Sequence, residues 1–176
     1  LNIQLWKNYS DVFRIRLQAP GGEEAELSTN IQGGKYTLEL EQTRILVYLG
    51  EPLPYAVAQE IYLDMIPAEG SYINAGIWTI RLEPVVTVTG QYYLYLPAGS
   101  GIGESTGFYR ATPQETLTIP STAAKVITVG AYDQVYDTYA DFSGRGYADS
   151  TRTIGVAAAG LTKPDLVAPG VNIQAP

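Results

Sequence analysis

The sequence contains no histidine and no cysteine. Without His there is no Ser-His-Asp or Cys-His catalysis inside this chain, no imidazole metal ligand and no imidazole pH switch. Without Cys there is no thiol nucleophile, no disulfide framework and no thiolate zinc or cluster site. Positive charge is scarce as well: 11 Lys and Arg face 18 Asp and Glu, a formal net charge of -7. Nothing basic is clustered, which argues against nucleic acid and against an anionic membrane surface. No apolar run approaches membrane-spanning length, so no membrane span is expected. Carboxylate, hydroxyl, amine and phenol chemistry remain.

What is abundant is tyrosine, 14 against 3 Phe and 2 Trp, with 18 Gly and 11 Pro as punctuation. Tyr-rich, turn-rich composition favours β-structure with half-buried rings. A length of 176 residues fits one domain, or one domain plus a fragment. The chain opens on Leu1-Asn2-Ile3-Gln4-Leu5, already alternating like a strand, and stops at Pro176 soon after Val171-Asn172-Ile173. Both ends read as cut, so the expectation is a piece of a longer polypeptide.

Residues 1 to about 97 read as strand after strand. Apolar residues alternate at Leu1, Ile3 and Leu5; at Phe13, Ile15 and Leu17; at Tyr36, Leu38 and Leu40; and at Ile61, Leu63 and Met65. Ile45 to Leu49 is a short apolar run, and Ile77 to Glu83 sets Trp78, Ile80 and Leu82 against Thr79, Arg81 and Glu83. Val85 to Thr89 and Tyr92 to Leu96 complete the set, while residues 55 to 60 allow at most a helical turn or two. Turn signals at Pro20-Gly21-Gly22, Gly33-Gly34, Gly50, Gly70 and Gly90 separate the runs. About eight short strands at this spacing predict an antiparallel sandwich. Trp78 belongs to its core, and Arg14, Arg16, Arg81 and Glu83 to solvated faces.

Residues 98 to 115 read as a loop. Its Gly99, Gly101, Gly103 and Gly107 lack the following helix that a phosphate cradle needs, so a plain connection is preferred. From about 116 the style changes. Val126-Ile127-Thr128-Val129 is a continuous β-branched run, the mark of a strand buried on both faces with parallel neighbours. The boundary is placed near residue 115: a sandwich over 1–115 and a second segment over 116–176.

Three stretches of that segment resemble the subtilisin-like serine proteases, in the family's order. They are TLTIPSTAAKVITVGAYD (Thr116 to Asp133), FSGRG (Phe142 to Gly146) and KPDLVAPGVNI (Lys163 to Ile173). The sandwich, with GIWTIRLEP (Gly76 to Pro84) and YLP (Tyr95 to Pro97), resembles the jelly-roll insertion of clostridial subtilases similar to spore germination proteases. The resemblance implies a mainly β chain: an antiparallel jelly-roll-like sandwich followed by an incomplete subtilisin-like α/β catalytic domain. It places the triad Asp and His and the oxyanion Asn before this window, and the nucleophilic Ser after it. No Gly-Thr-Ser string occurs here, so no catalytic residue is assigned and the chain alone is expected to be inactive.

By the same resemblance, Leu117, Thr118, Ile119 and Pro120 line the pocket for the residue before the scissile bond. Ala168, Pro169 and Gly170 form a loop beside the active site. No firm metal site or cofactor is read. The backbone carbonyls of Ala123, Lys125 and Val126 fall where some subtilases hold a weak calcium or sodium ion. The partners implied are the rest of the parent protease and its polypeptide substrate. Self-association through the incomplete sheet is also expected, because its central strand is left short of partners. The resemblance implies a bacterial parent that is secreted, on the cell surface or associated with the spore.

Other clusters have blander readings. Asp133, Asp137 and Asp141, spaced by four, would share a helix face as a cation site or acid/base pair; a solvated acidic loop is preferred. Ser121 and Lys125 could form a Ser-Lys dyad, but the family stretch accounts for both without chemistry. Lys163-Pro164-Asp165 reads as a turn into a strand, with Pro fixing its backbone. Two alternatives stand beside the protease reading: a sandwich module binding protein or glycan, and a degenerate subtilase acting as a scaffold.

Overall fold

The computed structural model describes residues 1–30, 33–51, 53–54, 58–70, 72–97, 102–103, 105–123, 125–146 and 163–173. It divides into two compact units, Leu1–Gly107 and Phe108–Pro176.

The first unit is a two-sheet antiparallel sandwich. Its strands are β1 (Asn2–Asn8), β2 (Val12–Gln18), β3 (Glu24–Ser28), β4 (Lys35–Leu40), β5 (Thr43–Leu49), β6 (Ala58–Pro67), β7 (Thr79–Val86) and β8 (Tyr92–Tyr95). One sheet has the order β4-β5-β6-β1-β8 and the other β3-β2-β7. The pairings β1·β8, β2·β7 and β4·β5 nest within one another, as in a rolled-up strip of chain. β3 departs from that nesting by pairing with its hairpin neighbour β2.

The two-residue period sets the core. β1, β2, β5 and β6 alternate strictly between buried and less buried positions. Ile3 and Leu5, Phe13, Ile15 and Leu17, Ile45, Val47 and Leu49, and Ile61, Leu63 and Met65 form one buried cluster spanning both sheets. Trp78 packs against it and donates its indole N–H to the Asn74 carbonyl at 3.0 Å. The opposite rows meet water. Arg14 and Arg16 pair there with Glu26 and Glu83 across β3, β2 and β7.

One end of the core is polar. Lys7 follows Ile3 and Leu5 on the inward row of β1 and is fully buried. Its Nζ donates to the carbonyls of Asp11 at 2.6 Å and Asn8 at 3.1 Å. Burial lowers the Lys7 ammonium to about 8, although the Asp11 carboxylate partly counters it. Asp11 itself ties down the turn after β7. Its carboxylate accepts from the backbone N–H groups of Val88 (2.6 Å), Thr89 (2.9 Å) and Gly90 (3.0 Å) and from the Thr89 hydroxyl (2.5 Å). Burial pushes the Asp11 carboxyl up, but the Thr89 hydroxyl and these three N–H donors outweigh it and hold it below the usual range.

Several details of this unit differ from the sequence reading. β3 was not expected: Glu24-Ala25-Glu26-Leu27-Ser28 is acidic and weakly β-prone, and only Leu27 is buried. As an edge strand beside β2 it needs just one inward anchor. Val85 and Val86 do not begin a separate strand but continue β7, with a bulge opposite Val12 and Phe13. Pro84 is tolerated there because β7 is also an edge. Ala58 to Glu60 lie in β6 rather than in a helical turn, paired with Asn8, Lys7 and Trp6; Tyr55 to Val57 lie outside the described residues.

The second unit carries β9 (Val129–Asp133), β10 (Thr138–Tyr139) and β11 (Leu166–Pro169), in the order β10-β9-β11. Among the described residues it has no helix, and the Ala-rich Val156 to Gly160 lies outside them. The run Val126 to Val129 corrects the sequence reading. Only Val129 belongs to a strand, and Ile127 is 74% exposed while Val129 is 54% exposed. β9 has one parallel neighbour, β11, and one antiparallel neighbour, β10, instead of two parallel ones. β-branching favoured a strand, but burial on both faces requires neighbours that this unit's described residues do not supply.

Candidate functional site

Asp133 and Asp137 lie in the β9-β10 hairpin, not on a helix face. The Asp133 carboxylate accepts from the Val135 N–H at 2.8 Å, and Asp137 sits in the left-handed region with φ of 52°. Asp141 follows on an exposed turn. No group of three metal-ligating side chains occurs among the described residues. Ser121 contributes its carbonyl, not its hydroxyl, as acceptor for the Thr128 Oγ1 at 2.6 Å, and Lys125 is exposed. The solvated and structural readings of these clusters fit their geometry.

The three subtilase-like stretches interlock, with residues 142–146 as the hub. The Thr116 N–H donates to the Arg145 carbonyl at 2.9 Å, the Glu115 N–H to Gly146 at 3.2 Å, and the Arg145 N–H to the Thr116 hydroxyl at 2.9 Å. Leu117 packs under the 144–146 backbone, since a Cβ on Gly144 would meet its Cδ2 at 2.9 Å. The Ser143 hydroxyl accepts from the Ala131 N–H at 2.9 Å, linking the hub to β9. Tyr139 donates its hydroxyl to the Gly144 carbonyl at 2.9 Å, and the Arg145 guanidinium lies 5.0 Å from its ring centroid. The third stretch closes on the hub from the other side. A Cβ at Gly146 would collide with the Lys163 carbonyl, so only glycine lets the two backbones meet.

Of the expected pocket residues, Leu117 is half-buried, Thr118 and Pro120 are exposed, and Ile119 is 80% exposed. The carbonyls of Thr118 and Pro120 turn back to accept from the N–H groups of Thr122 (3.3 Å) and Ala123 (2.9 Å), so this segment is a turn. Ala168 and Pro169 end β11, and the Gly170 N–H donates to the Tyr132 carbonyl at 3.0 Å. Gly170 approaches so closely that a Cβ would stand 2.7 Å from that of Ala131. Among the carbonyls considered for a cation, that of Ala123 accepts from the Val126 N–H at 3.3 Å, and that of Val126 accepts from the Lys163 ammonium.

The residues that sequence reasoning missed are Lys163, Asp165 and Thr128. Lys163 is 6% exposed and makes a 2.6 Å ion pair with Asp165. The Asp165 Oδ2 also accepts from the Thr128 N–H at 2.7 Å, and the Asp165 N–H donates to the Thr128 carbonyl at 2.9 Å. The Lys163 ammonium, together with the Thr128 N–H, holds the Asp165 carboxyl below its ordinary range. A usable signal was present: Lys and Asp two residues apart, astride Pro164, beside an otherwise apolar strand.

The model of the Subtilase family matches residues 100–176. No curated protein matches the chain. Among solved structures, the chain is similar to the Clostridium perfringens CspB protease, with a TM-score of 0.81 and 26% identity over 98% of this chain. It spans 34% of that protein's chain, about a third of its length. The interlocked stretches lie within the residues that the Subtilase model matches, and the likeness to the CspB protease extends over nearly the whole chain.

Proposed function

We propose that the chain is a non-catalytic portion of a subtilisin-like serine endopeptidase. In the parent, the reaction is peptide-bond hydrolysis through a Ser acyl-enzyme. Residues 116–176 supply scaffold and loops to that reaction: Leu117 to Pro120 as wall of the substrate pocket, Ala168 to Gly170 as a loop beside the nucleophile. The substrate is a polypeptide, and the parent is bacterial and secreted, cell-surface or spore-associated. The observation that carries this reading is the meeting of three ordered subtilase stretches in one unit. With no His in the sequence, these residues lack the imidazole general base of such an enzyme. Fluorophosphonate labelling tests both halves. The parent should label at a serine outside residues 1–176, and the 176-residue chain should not label. Labelling of the isolated chain, or an unlabelled parent, would overturn the reading; the second result is what a degenerate scaffold gives.

A second reading has its own observation. The outer face of the five-stranded sheet carries rings in neighbouring strands: Tyr48 beside Tyr62 with centroids 6.2 Å apart, and Trp6 opposite Tyr93 in the β1·β8 register. Such a face suits protein or glycan contact by the sandwich. Glycan-array and pull-down silence from the first unit would remove it.

The exposed apolar residues of the second unit, Ile127, Val129, Leu166 and Val167, support self-association through its small sheet. Sedimentation of the chain across a concentration series should reveal a dimer. A monomer throughout would remove that expectation.

A further inference from the structure

A parallel strand pair has no tight hairpin to fix its register, and a slip by one residue turns every side chain to the other face. β9 and β11 are such a pair, with Leu166 opposite Val129, Val167 opposite Gly130, Ala168 opposite Ala131 and Pro169 opposite Tyr132. Something outside the ladder must choose this register. The observed one is tightly constrained. A Cβ on Gly130 would stand 3.0 Å from Pro164 and 3.2 Å from Val167, so any larger residue at this crossing would force its neighbours to give way.

We propose that Lys163 and Asp165 are positioning residues: a clasp that sets the β9·β11 register and thereby the placement of the Ala168-Pro169-Gly170 loop. The clasp stands one residue before the first ladder pair. Asp165 grips Thr128 through both its own N–H and its side chain, so Thr128 and Asp165 are held opposite each other. Lys163 ties the same carboxylate to the Val126 carbonyl two residues earlier. A buried ammonium must keep such partners, because leaving it unpaired is strongly unfavourable. A slipped register would separate Lys163 from the Val126 carbonyl and Asp165 from Thr128 at once, leaving the ammonium without its backbone acceptor. The clasp therefore rejects wrong registers rather than merely strengthening the right one. Its consequence for catalysis rests on the reading of Ala168 to Gly170 as a loop beside the nucleophile.

The test uses Lys163→Met and Asp165→Asn, with exposed Lys125→Met as control. In the 176-residue chain, cross-strand nuclear Overhauser contacts between residues 130 and 167 and between 131 and 168 report register. Both clasp variants should weaken or shift them, and Lys125→Met should leave them intact. In the full-length parent, the clasp variants should lower kcat by about tenfold with little change in KM, as expected for a misplaced loop beside the reacting atoms. The double variant should cost no more than the worse single one, because the two groups act as one unit. Unchanged cross-strand contacts in both variants would overturn the clasp. Shifted contacts with unaltered kcat would overturn its positioning role. If Lys163→Met fails to fold, Asp165→Asn carries the same readings. A parent without peptidase activity, in which the contacts still shift, would overturn the functional reading and leave the clasp itself standing.

Discussion

The two units hold their backbones in different ways. The sandwich relies on side chains of one face buried against side chains of another, with Ile15, Val47 and Ile61 fully enclosed. The second unit relies on backbone meeting backbone through glycine, and on single side chains that stitch distant stretches together. Apolar residues in and beside its small sheet stay exposed, including Leu166, Val167 and Ile127. A buried apolar row tolerates some repacking, because burial is roughly additive in area. A glycine contact or a buried ion pair has no such latitude. Substitutions should therefore act gradually in the first unit and abruptly at a few points in the second.

The sharpest contrast is expected at Gly146. Gly146→Ala puts a Cβ into the Lys163 carbonyl, and the hub should lose its native packing. Hydrogen exchange should show residues 115–117 and 143–146 losing protection while β1, β5 and β6 keep theirs. Loss of protection in the sandwich as well would show that the units are not separable in this way.

Leu5→Ala comes next. Leu5 is 1% exposed in the sandwich core, and its truncation should cost about 2–5 kcal/mol of sandwich stability, measured by denaturant unfolding. A much smaller cost would mean that the core is less tightly packed than its burial indicates.

A smaller effect should come from the polar end of the core. Lys7 is lowered from 10.5 to about 8 by burial. Between these values the unfolded chain binds the extra proton, so sandwich stability should rise with pH across that window and be flat with respect to Lys7 below it. Tyr9, whose phenol is raised by burial and by the Glu51 charge, works in the opposite direction only once pH passes 10. Thermal unfolding at pH 7, 8 and 9 should show the rise, and Lys7→Met should abolish it. A rise that survives in Lys7→Met would assign it elsewhere.

The smallest effect is expected where the comparison predicts indifference. Ile127 is 74% exposed, and Ile127→Ser should change the stability of the second unit by less than about 0.5 kcal/mol at concentrations where the chain is monomeric. A large loss would mean that this side chain is covered in solution.

Legibility in the sequence followed the same division. Period two in β1, β2, β5 and β6 exposed both the strands and their inward rows, because each strand carries its own pattern. Lys7 was invisible to that pattern, since its charge hides its inward position. β3 was invisible because one Leu suffices for an edge. In the second unit, Val126 to Val129 announced a strand by residue type but not its limits, which depend on neighbours remote in sequence. Motif resemblance singled out Leu117 to Pro120 and Ala168 to Gly170 as candidates, whereas the link between Lys163 and Thr128 requires that two stretches be known to touch.

The pairing of β1 with β8 has a consequence for how such a chain is assembled from parts. Gln4 lies directly opposite Tyr95, so the first and last strands of the sandwich run side by side in opposite directions. The start of β1 and the end of β8 therefore lie side by side at one edge of the sandwich. Its entry and exit thus stand about one strand spacing apart, the geometry in which a domain can be accommodated like a surface loop.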